Sequence, residues 1–109
     1  MSNDITIEFV SLALDASLLR QTAIANNIAN ANTSGYQTME VNFEQQLASM
    51  SSNSLSELHP FLQQSSAHSS IDEQLALSVK NSTHYRALIK GINSKLALMK
   101  LALHGNNQS

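Results

Sequence analysis

Residues 71–104 read IDEQLALSVKNSTHYRALIKGINSKLALMKLALH, and this stretch decides the fold. Its large apolar residues recur at alternating steps of four and three positions, which is the spacing of one face of an α-helix. This row consists of Tyr85, Ile89, Ile92, Leu96, Met99 and Leu103. A second apolar group, with Leu98 and Leu101, lies on the far side of the same helix. We therefore predict a long helix over 71–105 with two apolar faces.

Both ends of this helix carry boundary signals. Ser70 and Glu73 have the spacing of a capping box, in which each side chain accepts a hydrogen bond from the other residue's backbone N–H. Asp72 adds negative charge near the positive end of the helix dipole. Gly105 is a typical residue for the helix end.

A second helix is predicted over residues 7–31, within an N-terminal segment 1–31. One face carries Val10, Leu14, Leu18, Ala25 and Ile28, and the opposite face carries Leu12, Ala16, Leu19 and Ala23. A helix on the surface of a monomer normally has one apolar stripe. Two stripes indicate two packing partners, and the alternative is a buried central helix of an ordinary fold.

The middle of the chain, residues 32–70, has a different composition. It begins with a turn at Gly35 and can include a short amphipathic piece with Val41, Phe43 and Leu47. Residues 50–70 are rich in serine, and such a polar segment buries too little surface to offset its ordering entropy. The apolar anchors in this stretch are Leu58, Phe61 and Leu62. We predict a loop or flexible linker.

These segments predict one all-α domain over residues 1–109. Its two long terminal helices, within 1–31 and 71–105, form an antiparallel, coiled-coil-like hairpin. A flexible, Ser-rich segment over 32–70 joins them.

Composition excludes several classes of function. The chain has 109 residues, a formal net charge of −2 and no cysteine. The charge gives no basic footprint for nucleic acid, and the missing thiols exclude disulfides. Asp4 and Glu8 stand where a Sec signal peptide would be basic, so we expect any export to use another route.

No residue constellation predicts catalysis, a cofactor or a metal ion. His59, His68, His84 and His104 lack the spacing of a helical metal site. Glu40 and Glu44 lie one helical turn apart, but acid–base work would need a cleft that separates their pKa values. The basic residues of the C-terminal helix are spread around it, so contacts with acidic neighbours or plain solubility explain them best. We expect no enzyme and no small-molecule substrate.

The stretch Ala25–Tyr36, ANNIANANTSGY, is the most distinctive motif. Asparagine is a mediocre helix former, because its side chain competes for backbone groups. A buried asparagine on a helix seam can fix register and oligomeric state. The alternative is a frayed helix end followed by a turn, and the composition alone does not choose between them.

This order of residues resembles the N-terminal signature of the flagellar axial proteins, which form the rod, hook and hook-associated parts. Within that family the chain is most similar to proximal rod proteins, through Val41–Phe43 after the motif and Asn81–Leu88 in the C-terminal helix. Ser34 departs from the proline often found there. The resemblance covers the two ends of the chain.

The resemblance implies a structural subunit of the basal-body rod, located in the periplasm and exported by the flagellar type III apparatus. Its implied partners are copies of itself, other rod proteins, and the membrane-ring and rod-adaptor proteins of the basal body, with no nucleic acid. The predicted assembly interface comprises Leu14, Leu18, Asn26, Asn27, Ile28, Asn30, Gly35, Tyr36, Tyr85, Ile89, Ile92, Leu96 and Met99, with Asn26, Asn27 and Asn30 bonding between subunits. The alternative is a small helical adaptor or secretion-associated binding protein that folds alone.

Overall fold

A computed structural model describes residues 5–50 and 55–108, with side chains as far as Gly105. Its elements are α1 (Ile5–Ala29), β1 (Met39–Asn42), α2 (Glu44–Ser49), a 3-10 turn (Leu55–Glu57), β2 (Phe61–Gln64) and α3 (Ile71–Gln108). The two long helices pack against each other in an elongated molecule of 67 × 28 × 15 Å. The predicted pair of long, packed helices is confirmed. Residues 1–4 of the predicted N-terminal segment and residues 51–54 of the Ser-rich stretch lie outside the described residues.

Helix α3 begins at the predicted capping box. The backbone N–H of Ser70 donates to Glu73 Oε1 at 2.8 Å, and the backbone N–H of Glu73 donates to Ser70 Oγ at 3.2 Å. The hydrogen bond from the Ser70 backbone lowers the pKa of Glu73 below its ordinary value. The predicted end at Gly105 was wrong, because the helix continues to Gln108. Glycine weakens a helix without ending it when no left-handed turn follows.

Helix α1 ends at Ala29, two residues earlier than predicted, and a tight turn follows. The Thr33 N–H donates to the Asn30 carbonyl at 2.9 Å, and the Tyr36 N–H donates to the Thr33 carbonyl at 3.2 Å. Gly35 has a φ of +79°, the left-handed conformation predicted for it. This turn sends the chain back along α1.

The middle segment contains a small sheet, so the all-α prediction was wrong there. Strands β1 and β2 pair antiparallel, with Met39 opposite Gln64 and Asn42 opposite Phe61. Both strands have four residues, and the sequence Phe61–Gln64 lacks a clear alternation of apolar and polar residues. Local pattern therefore gave no strand signal for β2, although Met39–Asn42 alternates apolar and polar residues. The pairing arises because α1 offers an apolar face against which the strand residue Val41 is buried.

A thin core lies between α1 and this middle segment. Its buried members are Ala13, Ala16, Val41, Phe43 and Leu58. The Phe9 ring stacks against the Phe43 ring with centroids 6.4 Å apart. The anchor predictions are confirmed for Leu58 and Leu62, whereas Phe61 is 42% exposed.

Candidate assembly interface

The two long helices meet through buried polar side chains where α1 approaches the first turns of α3. Ser17 Oγ donates to Asn81 Oδ1 at 3.0 Å, and Asn81 Nδ2 donates to the Ser17 carbonyl and to Gln21 Oε1, both at 2.9 Å. Gln21 Nε2 in turn donates to Ser78 Oγ at 2.8 Å. Ser17 and Asn81 are both buried. Every polar group of Asn81 is therefore used inside the hairpin.

Asn27 is a second hydrogen-bonding centre, at the end of α1. Its Nδ2 donates to the Met39 carbonyl at 2.9 Å and to Gln74 Oε1 at 3.1 Å. Its Oδ1 accepts from the Met39 N–H at 2.8 Å and from the Tyr36 hydroxyl at 2.9 Å. One buried amide thus joins α1, the turn, β1 and α3. The side chain has no hydrogen-bonding group left for a second subunit.

The other asparagines of the motif have different surroundings. Asn30 Nδ2 donates to the Asn26 carbonyl at 3.0 Å, and Asn30 Oδ1 accepts from Thr33 Oγ1 at 3.1 Å. Asn30 therefore stabilises the helix end locally. Asn26 is exposed, as is Gly35. Asn26 and Asn30 remain candidates for contacts between subunits.

The hairpin contact in one copy differs from the predicted apolar seam. Leu14, Ile28, Tyr85, Ile89, Ile92 and Met99 are half-buried. Leu18 and Leu96 are 53% and 47% exposed, so they do not bury the contact within a single copy. Their place in a contact between copies stays a prediction.

Sequence reasoning missed the polar part of the hairpin contact. Gln74, Ser78 and Asn81 precede Tyr85 at steps of four, three and four, so they extend the same helical row. The predicted row contains apolar residues only, so it leaves out these three polar ones. Heptad spacing regardless of polarity would have found them.

The far half of α3 presents apolar side chains to solvent. Since Ser17 contacts Asn81 and the helices are antiparallel, Ile5 lies opposite about residue 93 at equal rise per residue. The last part of α3 therefore extends past the described start of α1. Leu98, Leu101 and Leu103 are 64%, 67% and 64% exposed there. Leu98 and Leu101 lie on one side of α3 and Leu103 on the other, so exposed apolar surface on both sides of this end marks a candidate interaction site.

The titratable residues considered for chemistry lie apart. Glu40 accepts a hydrogen bond from Gln63 Nε2 at 2.6 Å across the sheet, whereas Glu44 forms an ion pair with Arg20 at 2.8 Å. Among the described residues, no group of three or more His, Cys, Asp or Glu side chains is placed to hold a metal ion. Across the same residues, neither long helix has an apolar stretch that could cross a bilayer.

Comparison with known proteins identifies the N-terminal motif. Residues 8–37 match the family described as flagella basal body rod protein. The matched region covers most of α1, including Asn27, and the turn that contains Gly35 and Tyr36. No curated protein matches the chain. Over these residues, the chain carries the N-terminal motif of the flagellar basal body rod protein family.

Proposed function

We propose that this protein is a structural subunit of the flagellar basal-body rod and assembles through its two long helices into the tubular drive shaft. The observation that carries the proposal is the family match over residues 8–37, on a hairpin whose other helix leaves apolar residues uncovered. Proteins of this family are typically structural, which agrees with the separate placement of the acidic side chains.

Surface burial supplies the driving force for assembly. Full burial of a leucine side chain stabilises by about 1.5–3 kcal/mol. Leu98, Leu101 and Leu103 each leave more than half of their surface in water in one copy. Packing them against neighbouring subunits recovers that free energy.

A finer position within the rod follows from the chain's resemblance to proximal rod proteins of the FlgB type. The segment Val41–Phe43 after the motif and the run Asn81–Leu88 support this position. Its partners would then be other rod proteins, the membrane ring, the rod adaptors and the type III export apparatus, which would deliver it to the periplasm.

Deletion of the gene tests the proposed function directly. We expect isolated basal bodies that retain the membrane ring and lack the rod, and swimming restored by the wild-type gene. Complete rods in the deletion strain would contradict the proposal.

One observation favours a small helical adaptor instead. The buried hydrogen bonds of Asn27 and Asn81 close the hairpin within one copy. Circular dichroism of dilute protein separates the two functions. An adaptor would be a fully helical monomer with a cooperative transition at every concentration, whereas a rod subunit should gain helicity as concentration rises.

A further inference from the structure

Charges of opposite sign are separated along this chain. All eight acidic residues lie between Asp4 and Glu73, and five of the six basic residues lie between Lys80 and Lys100. The basic half of α3 thus contains no carboxylate of its own. Copies of one chain can therefore offer each other surfaces of opposite charge.

The acidic charge of α1 lies on an exposed stripe. This acidic stripe consists of Glu8, Ser11, Asp15, Leu18 and Thr22, and every member is exposed. At about 100° per residue, its centre is turned roughly 130° from the side of α1 that contacts α3. The stripe therefore points away from the partner helix, along one flank of the hairpin.

Three of the five basic residues of α3 lie on a matching stripe, whereas Lys80 and Lys95 lie outside it. This basic stripe consists of Arg86, Lys90, Asn93, Ala97 and Lys100, again all exposed. Its centre is turned roughly 110° from the contact between the helices, by the same 100° rotation per residue. Because the helices are antiparallel and both rotations have the same sense, the two stripes lie on the same flank of the hairpin. Each is turned away from the other helix, and no ion pair joins them among the described residues.

Both stripes border shallow apolar grooves. The groove beside the acidic stripe is lined by Asp15, Leu18, Leu19 and Pro60, among others. The groove along the basic stripe includes Tyr85, Ile89 and Ala97 with the two cations Arg86 and Lys90. Apolar floors with charges at the margin suit the side of another helix.

The charged members of the stripes have no ion-pair partner among the described residues. The carboxylates of Glu8 and Asp15 and the cations of Arg86, Lys90 and Lys100 all stay free there, in contrast to the Arg20–Glu44 pair. Their charges are available to a neighbouring molecule.

We propose that the basic stripe of α3 docks on the acidic stripe of α1 in a second copy of this chain. The inference rests on the proposed function, since it names the contact by which copies assemble. Glu8 and Asp15 are about 10.5 Å apart along α1, and Lys90 and Lys100 about 15 Å along α3. Long lysine side chains bridge that difference. In the proposed rod the contact repeats head-to-tail from copy to copy, because a two-fold pair through the same stripes would close and end growth.

A polyanion fits the basic stripe less well. Three cations along about 21 Å, interrupted by Asn93 and Ala97, give a low charge density for a phosphate backbone. The net charge of −2 also repels a polyanion. An acidic helix matches both the spacing of the cations along α3 and the apolar groove beside them.

Two charge-reversed variants of the full chain test the contact. The first, Glu8→Lys with Asp15→Lys, has two basic stripes, and the second, Arg86→Glu with Lys90→Glu, has two acidic ones. We expect each alone to self-associate at least about tenfold more weakly than the wild type in sedimentation experiments. A mixture of the two should associate, because the basic α1 of the first faces the acidic α3 of the second.

Controls keep the test specific. The matched reversals Lys80→Glu and Glu57→Lys, outside both stripes, should leave association within about twofold of wild type. Circular dichroism verifies that each variant is folded, and Glu8→Gln with Asp15→Asn repeats the test without new charge. Added salt should weaken the wild-type contact.

Two results would overturn the inference. One is that the reversed variants associate as strongly as the wild type, or that their mixture associates no better than either alone. The other is a wild-type chain that stays monomeric and binds heparin through Arg86 and Lys90, which would identify a polyanion site. If either result is obtained and the deletion strain lacks rods, this contact is wrong and the proposed function is still supported.

Discussion

The two halves of α3 invert the usual distribution of side chains. Near its start, polar Gln74 and Asn81 are buried against α1, whereas near its end Leu98 and Leu101 are exposed. A self-sufficient hairpin would bury its leucines and expose its amides. Buried amides fix register at some cost in stability, and exposed leucines stabilise only once another surface covers them. The buried amides of the first half therefore specify the register of one copy. Exposed apolar residues of both halves, such as Val79 at 69% and Leu101 at 67%, are available for assembly.

The largest effect is expected when negative charge is placed on the exposed leucines near the end of α3. Leu98→Asp with Leu101→Asp should abolish rod assembly and swimming, because buried aspartate would be unpaired in the assembled contact. The unfolding free energy of the isolated chain should change by less than about 0.5 kcal/mol per site, since both positions are exposed. Motility assays and denaturant unfolding measure the two effects.

Thr83→Asp is the matched control, since it adds the same charge at an exposed position of α3 outside the leucines. It should swim normally. If the double leucine variant swims normally, Leu98 and Leu101 have no role in assembly.

The next largest effect belongs to Asn27. Asn27→Ala removes four hydrogen bonds and leaves the Met39 N–H and Gln74 without their partner. We expect a loss of about 2–4 kcal/mol in the free energy of unfolding. Asn26→Ala, one position earlier on the exposed side, should cost below about 0.5 kcal/mol. If the two substitutions lower the free energy of unfolding equally in denaturant, the Asn27 amide does not stabilise the hairpin.

Substitution of Asn81 tests whether the polar contact between the helices contributes to the stability of one copy. Asn81→Ala should destabilise the chain by about 1–3 kcal/mol, because Ser17 and Gln21 lose a buried partner. Asn93→Ala serves as the exposed control on the same helix. If Asn81→Ala unfolds at the wild-type denaturant midpoint, the polar contact is not holding the helices.

The smallest effect concerns the cap of α3. The hydrogen bond from the Ser70 backbone lowers the pKa of Glu73 from 4.5. A lowered pKa adds stability above pH 4.5 that is lost as the pH falls through the folded-state value. Glu73→Gln should therefore show a shallower fall in thermal stability below pH 4.5 than the wild type, and Glu57→Gln, outside the cap, should not.

Sequence reasoning predicted the long helices, the cap at Ser70 and the left-handed Gly35, because each depends on neighbours within a few positions. It failed for the sheet and for the polar half of the hairpin contact. Strand β2 pairs with residues 19 to 25 positions away, and the Asn81 contacts join residues 60 and 64 positions apart. The spacing of residues within a few positions of each other does not reveal contacts with partners so far away in the chain.

For the candidate interface, the sequence by itself determined which residues are apolar, which are charged and how they repeat along each helix. Helical spacing follows from backbone geometry, so the stripes could be drawn without coordinates. Only the tertiary structure decided which rows face inward. The antiparallel register and the Asn27 hydrogen bonds turn Gln74 and Asn81 inside and leave Leu18 and Leu96 outside, because burial depends on what the chain brings alongside each face.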